Sequence, residues 1–329
     1  MKVLSLLRIL VDGGIKVGDN LVIDGFDNSL FRVITHIHSD HVVSLDKSVS
    51  VGSNLMGTAL TIEWLKVLKN LPNNFKLIPL NYGQKVKIND MELELVKACH
   101  IPGSSQVKIE LSDGIILTYT SDFKKPGTET PIIKSDVVII DAVYGRPEYV
   151  REFDEYIEEV LADFIKQLLS EGPVYIYGYY GKIQEVMTLL RDYGIEAPYI
   201  VPLKHYRLCR IAEKFGLHFG DYVLAGTDEA LDIMKDDWFI YFSHMGKRIS
   251  SLGNHVILSG WEFSKPFRRI NSRLWLVAFS DHADFKGLIK YVVESNAKTV
   301  VINKPRSTGA EEFAKYLRSK LNINAYVYP

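Results

Sequence analysis

Residues 35–41 read Thr-His-Ile-His-Ser-Asp-His, which puts His36, His38, Asp40 and His41 within six positions. The preceding segment, 31–35, reads as a strand running straight into the cluster. Side chains alternate faces in an extended segment, so His36, His38 and Asp40 are expected to point the same way. A backbone turn must then bring His41 to a second position. Imidazole nitrogens and a carboxylate at this density are a set of metal ligands. Only nine histidines occur in 329 residues, so incidental clustering is a poor explanation.

Other residues of similar chemistry follow apolar strands in the same way. Strand 91–96 leads to His100, strand 115–120 to Asp122, strand 137–140 to Asp141 and strand 274–278 to His282. Groups set at strand ends on a rigid sheet are held more accurately than groups on long loops.

The elements that position them change character along the chain. Up to about residue 145 short strands alternate with Gly, Asn and Asp turns, broken by a helical period over 57–68. Asp113-Gly114 reads as a hairpin turn. The spacing then predicts a helix over 150–169, stopped by Gly172-Pro173. Strands at 174–177, 199–201, 238–242 and 256–258 and helices at 182–193 and 204–215 follow, the alternation of a parallel α/β sheet. The last part returns to the first texture, with a helix at 284–295, a strand at 299–302 and a helix at 309–321.

Lys and Arg total 39 and Asp and Glu 40, so net charge neither supports nor excludes a polyanionic partner; a basic groove can sit on a neutral protein. Two cysteines, Cys99 and Cys209, argue against a disulfide framework and suit a reducing compartment. No apolar run approaches the roughly 18 residues of a membrane span. A cytoplasmic protein without membrane association is the expectation.

The ordered motifs resemble a known family. His-x-His-x-Asp-His, His100-Ile101-Pro102-Gly103-Ser104 and Ser121-Asp122-Phe123 look like the metallo-β-lactamase fold. Asp141-Ala142-Val143-Tyr144-Gly145, Gly181-Lys182-Ile183-Gln184-Glu185, Ser259-Gly260 and Ser280-Asp281-His282-Ala283-Asp284 are similar, in the same order, to motifs of its β-CASP nucleases. That group includes the cleavage-and-polyadenylation endonuclease, RNase J and the SNM-type DNA repair nucleases. The resemblance implies an α/β fold: a metallo-β-lactamase αββα sandwich over 1–147 and 261–329, with an α/β β-CASP cap inserted at 148–260. It implies that His36, His38 and His100 hold one Zn²⁺, with Asp122 bridging to a second, weaker site at Asp40 and His41 that takes Zn²⁺, Mn²⁺ or Mg²⁺. A metal-activated hydroxide would attack the phosphodiester, with Asp40 counted among the catalytic residues as well as the ligands. His282 would protonate the leaving oxygen, oriented by Asp141.

One departure bears on the substrate. RNA-cleaving members usually carry a further histidine after the strand at 299–302, where this chain has Asn303-Lys304-Pro305. The SNM-type DNA enzymes also lack it, and Asp rather than Glu at 141 leans the same way. Single-stranded DNA is therefore favoured over RNA. Lys304, Arg306, Ser307 and Thr308 precede a helix start and suggest a pocket for a 5′-terminal phosphate, hence an exonuclease. Arg268 and Arg269 lie in a second basic run that would contact phosphates without reading sequence. His205, His218, His244 and His255 have no ligand partners at metal spacing and read as structural. The alternatives are an RNA-processing endo- or exonuclease, a small-molecule hydrolase of the same fold, or an inactive scaffold; no protein partner is indicated.

Overall fold

The computed structural model describes residues 4–72, 74–246 and 252–328. The chain forms two compact units, one running to Val150 and resuming at Asp281, the other Arg151–Ser280.

Among the described residues, the first unit holds two sheets. Leu7–Ile9, Ile15–Val17, Leu21–Ile23, Phe31–Val33, Asn54–Thr58 and Leu77–Leu80 lie side by side in sequence order. The first three pair antiparallel and the rest parallel. The second sheet runs Ala325–Tyr328, Thr299–Asn303, Val137–Ile140, Ile116–Tyr119, Ser105–Leu111, Met91–Lys97, Lys85–Ile88. Thus strands from both ends of the chain share it, and Val137–Ile140 pairs in parallel with Thr299–Asn303.

The sheets face each other across one core. Val17, Ile23, Val33 and Met56 of the first meet Leu93, Val107, Leu117, Val137 and Ile139 of the second. Val138 and Ile140 point to the other face, where with Val300 and Ile302 they pack on Leu288 and Val292 of helix Phe285–Ser295 and Phe313 and Leu317 of helix Ala310–Leu321. A strand buried on both faces has no polar alternation, which explains the apolar run at 137–140. Helix Ala59–Lys69 packs on Asn54–Thr58 and Leu77–Leu80 of the first sheet, burying Leu60, Ile62, Trp64 and Leu65. The order is helix, sheet, sheet, helix.

The second unit carries one sheet in the order Tyr222–Leu224, Tyr199–Val201, Ile240–His244, Val174–Gly178, Asn254–Leu258, Leu274–Val277, Phe267–Arg269. All pairs are parallel except the last. The second unit runs past the boundary expected at 260: strands Phe267–Arg269 and Leu274–Val277 extend this sheet, and the unit ends at Ser280. Packing explains the difference, since Phe267 stacks on Phe164 at 4.3 Å and Trp275 meets the same ring edge-on at 5.0 Å. The helix expected from 150 begins at Ile157, because residues 151–156 form a turn held by Arg151 Nε donating to Asp154 Oδ1 at 2.7 Å. His205 and His255 are buried beside Gln184 and Tyr177, whose side-chain polar atoms lie 3.3 Å and 2.8 Å from their Nδ1 atoms. No helix of the described residues is long and apolar enough to cross a membrane.

Candidate metal centre

Strand Phe31–Val33 ends three residues before His36, and Thr35 and His36 are both fully buried. The amide of His41 donates to the carbonyl of His38 at 3.1 Å, the turn that sends His41 to a second position. Buried Arg32 fixes this segment. Its Nη1 donates to Ser48 Oγ at 2.7 Å and its Nη2 to the carbonyls of Asp24 and Val43 at 2.9 and 2.8 Å. The Ser105 amide donates to the Thr35 carbonyl at 3.1 Å, tying the two sheets together beside the cluster.

His36, His38, His100 and Asp122 converge, with one ligand atom from each within 4.8 Å of the others. Asp40, His41 and Asp122 make a second group on the same criterion. Thus His36, His38 and Asp40 do not act as one face: the first two belong to one group and Asp40 to the other. Asp122 is common to both, its Oδ2 lying 3.5 Å from His36 Nε2 and 3.2 Å from His41 Nε2.

Electrostatics separate the two groups. Burial holds His36 and His38 below the ordinary histidine range and pushes His100 down to about 3. These imidazoles are neutral, as metal ligation requires. Burial works to protonate Asp122, but His282 and His41 outweigh it and keep the carboxylate well below its usual range. The Nε2 of His36 is buried and has no hydrogen-bond partner. An orphaned imidazole nitrogen beside two further imidazoles and an ionised carboxylate fits a metal ion, and the N₃O donor set suits Zn²⁺.

His41 differs. Burial and Arg306 oppose its proton, yet Asp122 and Asp24 prevail and raise it well above the ordinary range. Its Nδ1 lies 2.7 Å from Asp24 Oδ2. Asp24 also accepts from the Thr35 amide at 2.8 Å and the Thr35 hydroxyl at 2.7 Å. Asp24 was missed in the sequence, although it follows strand Leu21–Ile23 as the other strand-end acids follow theirs.

His282 sits at the rim with its side chain 24% exposed, its Nδ1 3.7 Å from Asp122 Oδ1 and its ring 4.9 Å from that of His100. Asp141, expected to orient it, has other partners: Tyr119 OH donates to Oδ2 at 2.5 Å and Asn303 Nδ2 to Oδ1 at 2.7 Å. Burial pushes the Asp141 carboxyl up to about 7.

The four residues expected to form a phosphate pocket have separate partners. Lys304 faces outward, its Nζ 3.2 Å from Glu311 Oε1. Arg306 turns inward, with its side chain only 5% exposed. Ser307 Oγ donates to the Asn303 carbonyl at 2.7 Å and accepts from the Ala142 amide at 2.8 Å, while the Thr308 carbonyl accepts from the Gly145 amide. Glu311 and Glu312 occupy the first turn of the following helix, where carboxylates already complement the dipole. In the second unit, Arg268 Nε donates to Glu262 at 3.0 Å and Arg269 to the carbonyls of Asn271 and Ser272 at 3.0 and 2.8 Å.

No protein-family model matches the chain. It is 46% identical over 138 residues to an uncharacterised protein in the lig 3′ region of Acidianus ambivalens, covering 42% of this chain and 99% of that one. It is 29% identical over 227 residues to the probable RNase MJ4 of Methanocaldococcus jannaschii (58% of this chain, 53% of that one). It is 23% identical over 290 residues to the DNA cross-link repair protein SNM1 of Arabidopsis thaliana (79% and 57%). The chain thus spans about half the length of these two named relatives. A crystal structure of a protein of unknown function from Enterococcus faecalis V583 shares the fold, with TM-score 0.63 and 16% identity over 91% of this chain and 79% of that one. The chain belongs to the metallo-β-lactamase-fold β-CASP nuclease family.

Proposed function

We propose that this chain is a metal-dependent nuclease that hydrolyses phosphodiester bonds of single-stranded nucleic acid, with DNA preferred over RNA. The observation that carries the reading is the buried set His36, His38, His100 and Asp122, with the orphaned Nε2 of His36 at its centre. Zn²⁺ bound there would supply a Lewis acid that activates water near neutral pH. His282, at the exposed rim, protonates the leaving oxygen. The Asp122 carboxylate lies 3.7 Å from its Nδ1. The Arg151–Ser280 unit is read as the β-CASP cap, on the strength of its insertion between two parts of one domain and the family membership. The DNA preference draws on Asn303 standing where RNA-cleaving members carry a histidine, and on the relative named for DNA cross-link repair. A complement of only two cysteines, Cys99 and Cys209, suits a cytoplasmic setting.

The test is incubation of the zinc-loaded protein with end-labelled single-stranded DNA and RNA bearing 5′-phosphate or 5′-hydroxyl, alongside ester and thioester model substrates. Cleavage of the DNA faster than the RNA is expected. Intact nucleic acid together with ester turnover would replace this reading with a small-molecule hydrolase.

A further inference from the structure

The second group of acidic and histidine ligands has a resident neighbour. The 3₁₀ turn Lys304–Arg306 follows strand Thr299–Asn303 and carries the Arg306 side chain back beneath His41. Arg306 Nη1 lies 2.7 Å from His41 Nδ1 and 3.4 Å from its Nε2, and donates to Tyr119 OH at 2.9 Å. Its Nη2 donates to the Asp40 carbonyl at 2.8 Å. Asp24 and Asp141 flank the guanidinium at 3.4 and 3.8 Å. Space for it is built in: a Cβ at Gly13 would fall 2.6 Å from Arg306 Nε, and Gly13 adopts φ +81°, where a side chain is strained in any case.

We propose that Arg306 is the permanent cation of this half of the centre, so that the protein holds one metal ion, at His36, His38, His100 and Asp122, and a guanidinium in place of a second. This rests on the metal-centre reading above. A guanidinium cannot lose its proton at any working pH, and contacts on several sides keep it from swinging away. A divalent ion bound between Asp40, His41 and Asp122 would meet that charge across the width of one imidazole, in a buried setting with little screening. The same three ligands do not fit a second ion, whereas a cation already present offsets the negative charge of Asp24 and Asp141. As a positioning residue, Arg306 also packs against His41, whose Nδ1 lies 2.7 Å from both Arg306 Nη1 and Asp24 Oδ2.

The experiment is a zinc count by elemental mass spectrometry after dialysis against buffered Zn²⁺, with binding isotherms, on wild type, Arg306→Gln and Arg306→Lys. One ion per chain is expected for wild type and Arg306→Lys. Arg306→Gln should take a second ion at least tenfold more tightly than wild type does. Two ions of similar affinity in wild type would overturn the proposal, as would a folded Arg306→Gln that still holds one. Should Arg306→Gln not fold, Asp40→Asn serves instead, because its side chain is 62% exposed. Unchanged zinc count and affinity support the proposal, and loss of zinc refutes it. None of these counts depends on whether nucleic acid is cleaved, so a failed nuclease assay and a failed zinc count are separate results.

Discussion

Asp24 Oδ2 lies 2.7 Å from His41 Nδ1, and both side chains are fully buried. The Nε2 of His41 faces Asp122 at 3.2 Å. Asp24 also lies 3.4 Å from Arg306, so one carboxylate compensates two cationic neighbours.

Asp24→Asn should therefore destabilise the protein strongly. Removing one partner of a buried ion pair typically costs about 3–5 kcal/mol. Urea unfolding of the variant and wild type at pH 7 measures this; a difference below about 1 kcal/mol would mean that the network is not under charge compensation.

His282→Ala should lower kcat by about 10²–10⁴-fold, the usual range for a lost general acid, with the zinc count unchanged. The ring contacts Asp122 at 3.7 Å but belongs to neither ligand group. A lost zinc ion in this variant would reassign His282 as a ligand.

Stability of the zinc-free protein should fall with acidification. His100 is pushed down to about 3 by burial, whereas an unfolded histidine titrates near 6.5. Between those values the unfolded chain binds a proton that the native state does not, so stability falls as pH falls. The slope is about 1.4 kcal/mol per pH unit from His100 alone. His36 and His38, also lowered by burial, act in the same direction. His41, raised well above its ordinary value, is protonated in both states below about pH 6 and adds no slope there. Urea unfolding at pH 6 and pH 4 reads this, and equal stability would contradict it.

Lys304→Ala should leave any preference for 5′-phosphate ends unchanged and shift stability by less than about 0.5 kcal/mol. Its ammonium is exposed and pairs with exposed Glu311. A lost phosphate preference would restore the terminal-phosphate pocket expected from the sequence.

The ligand set was legible because each member follows an apolar strand and histidines are rare elsewhere in the chain. Asp24 has the same form, but Asp24-Gly25 also reads as an ordinary turn, and sequence alone does not distinguish an acid that ends a strand from one that holds a histidine. Arg306 was misread for a physical reason. A cation after Pro305 is taken as solvent-facing, and a single 3₁₀ turn has no periodicity to reveal that its side chain points inward. Asp141 has the form of a strand-end acid in the sequence, but its partners do not show there, because Tyr119 and Asn303 reach it from neighbouring strands of the sheet. The boundary at 280 was hidden because Phe267–Arg269 is exposed and Leu274–Val277 largely half-buried, a weak strand pattern whose anchor, Phe164, lies about a hundred residues earlier.

The central claim is tested most directly by metal readdition. The protein is stripped with a chelator, Zn²⁺ is returned stepwise, and cleavage of end-labelled single-stranded DNA is measured at each step. Activity should be absent from the stripped protein, rise with zinc and saturate at one equivalent per chain. Cleavage that survives stripping, or a zinc-loaded protein that leaves DNA and RNA intact, would contradict the account.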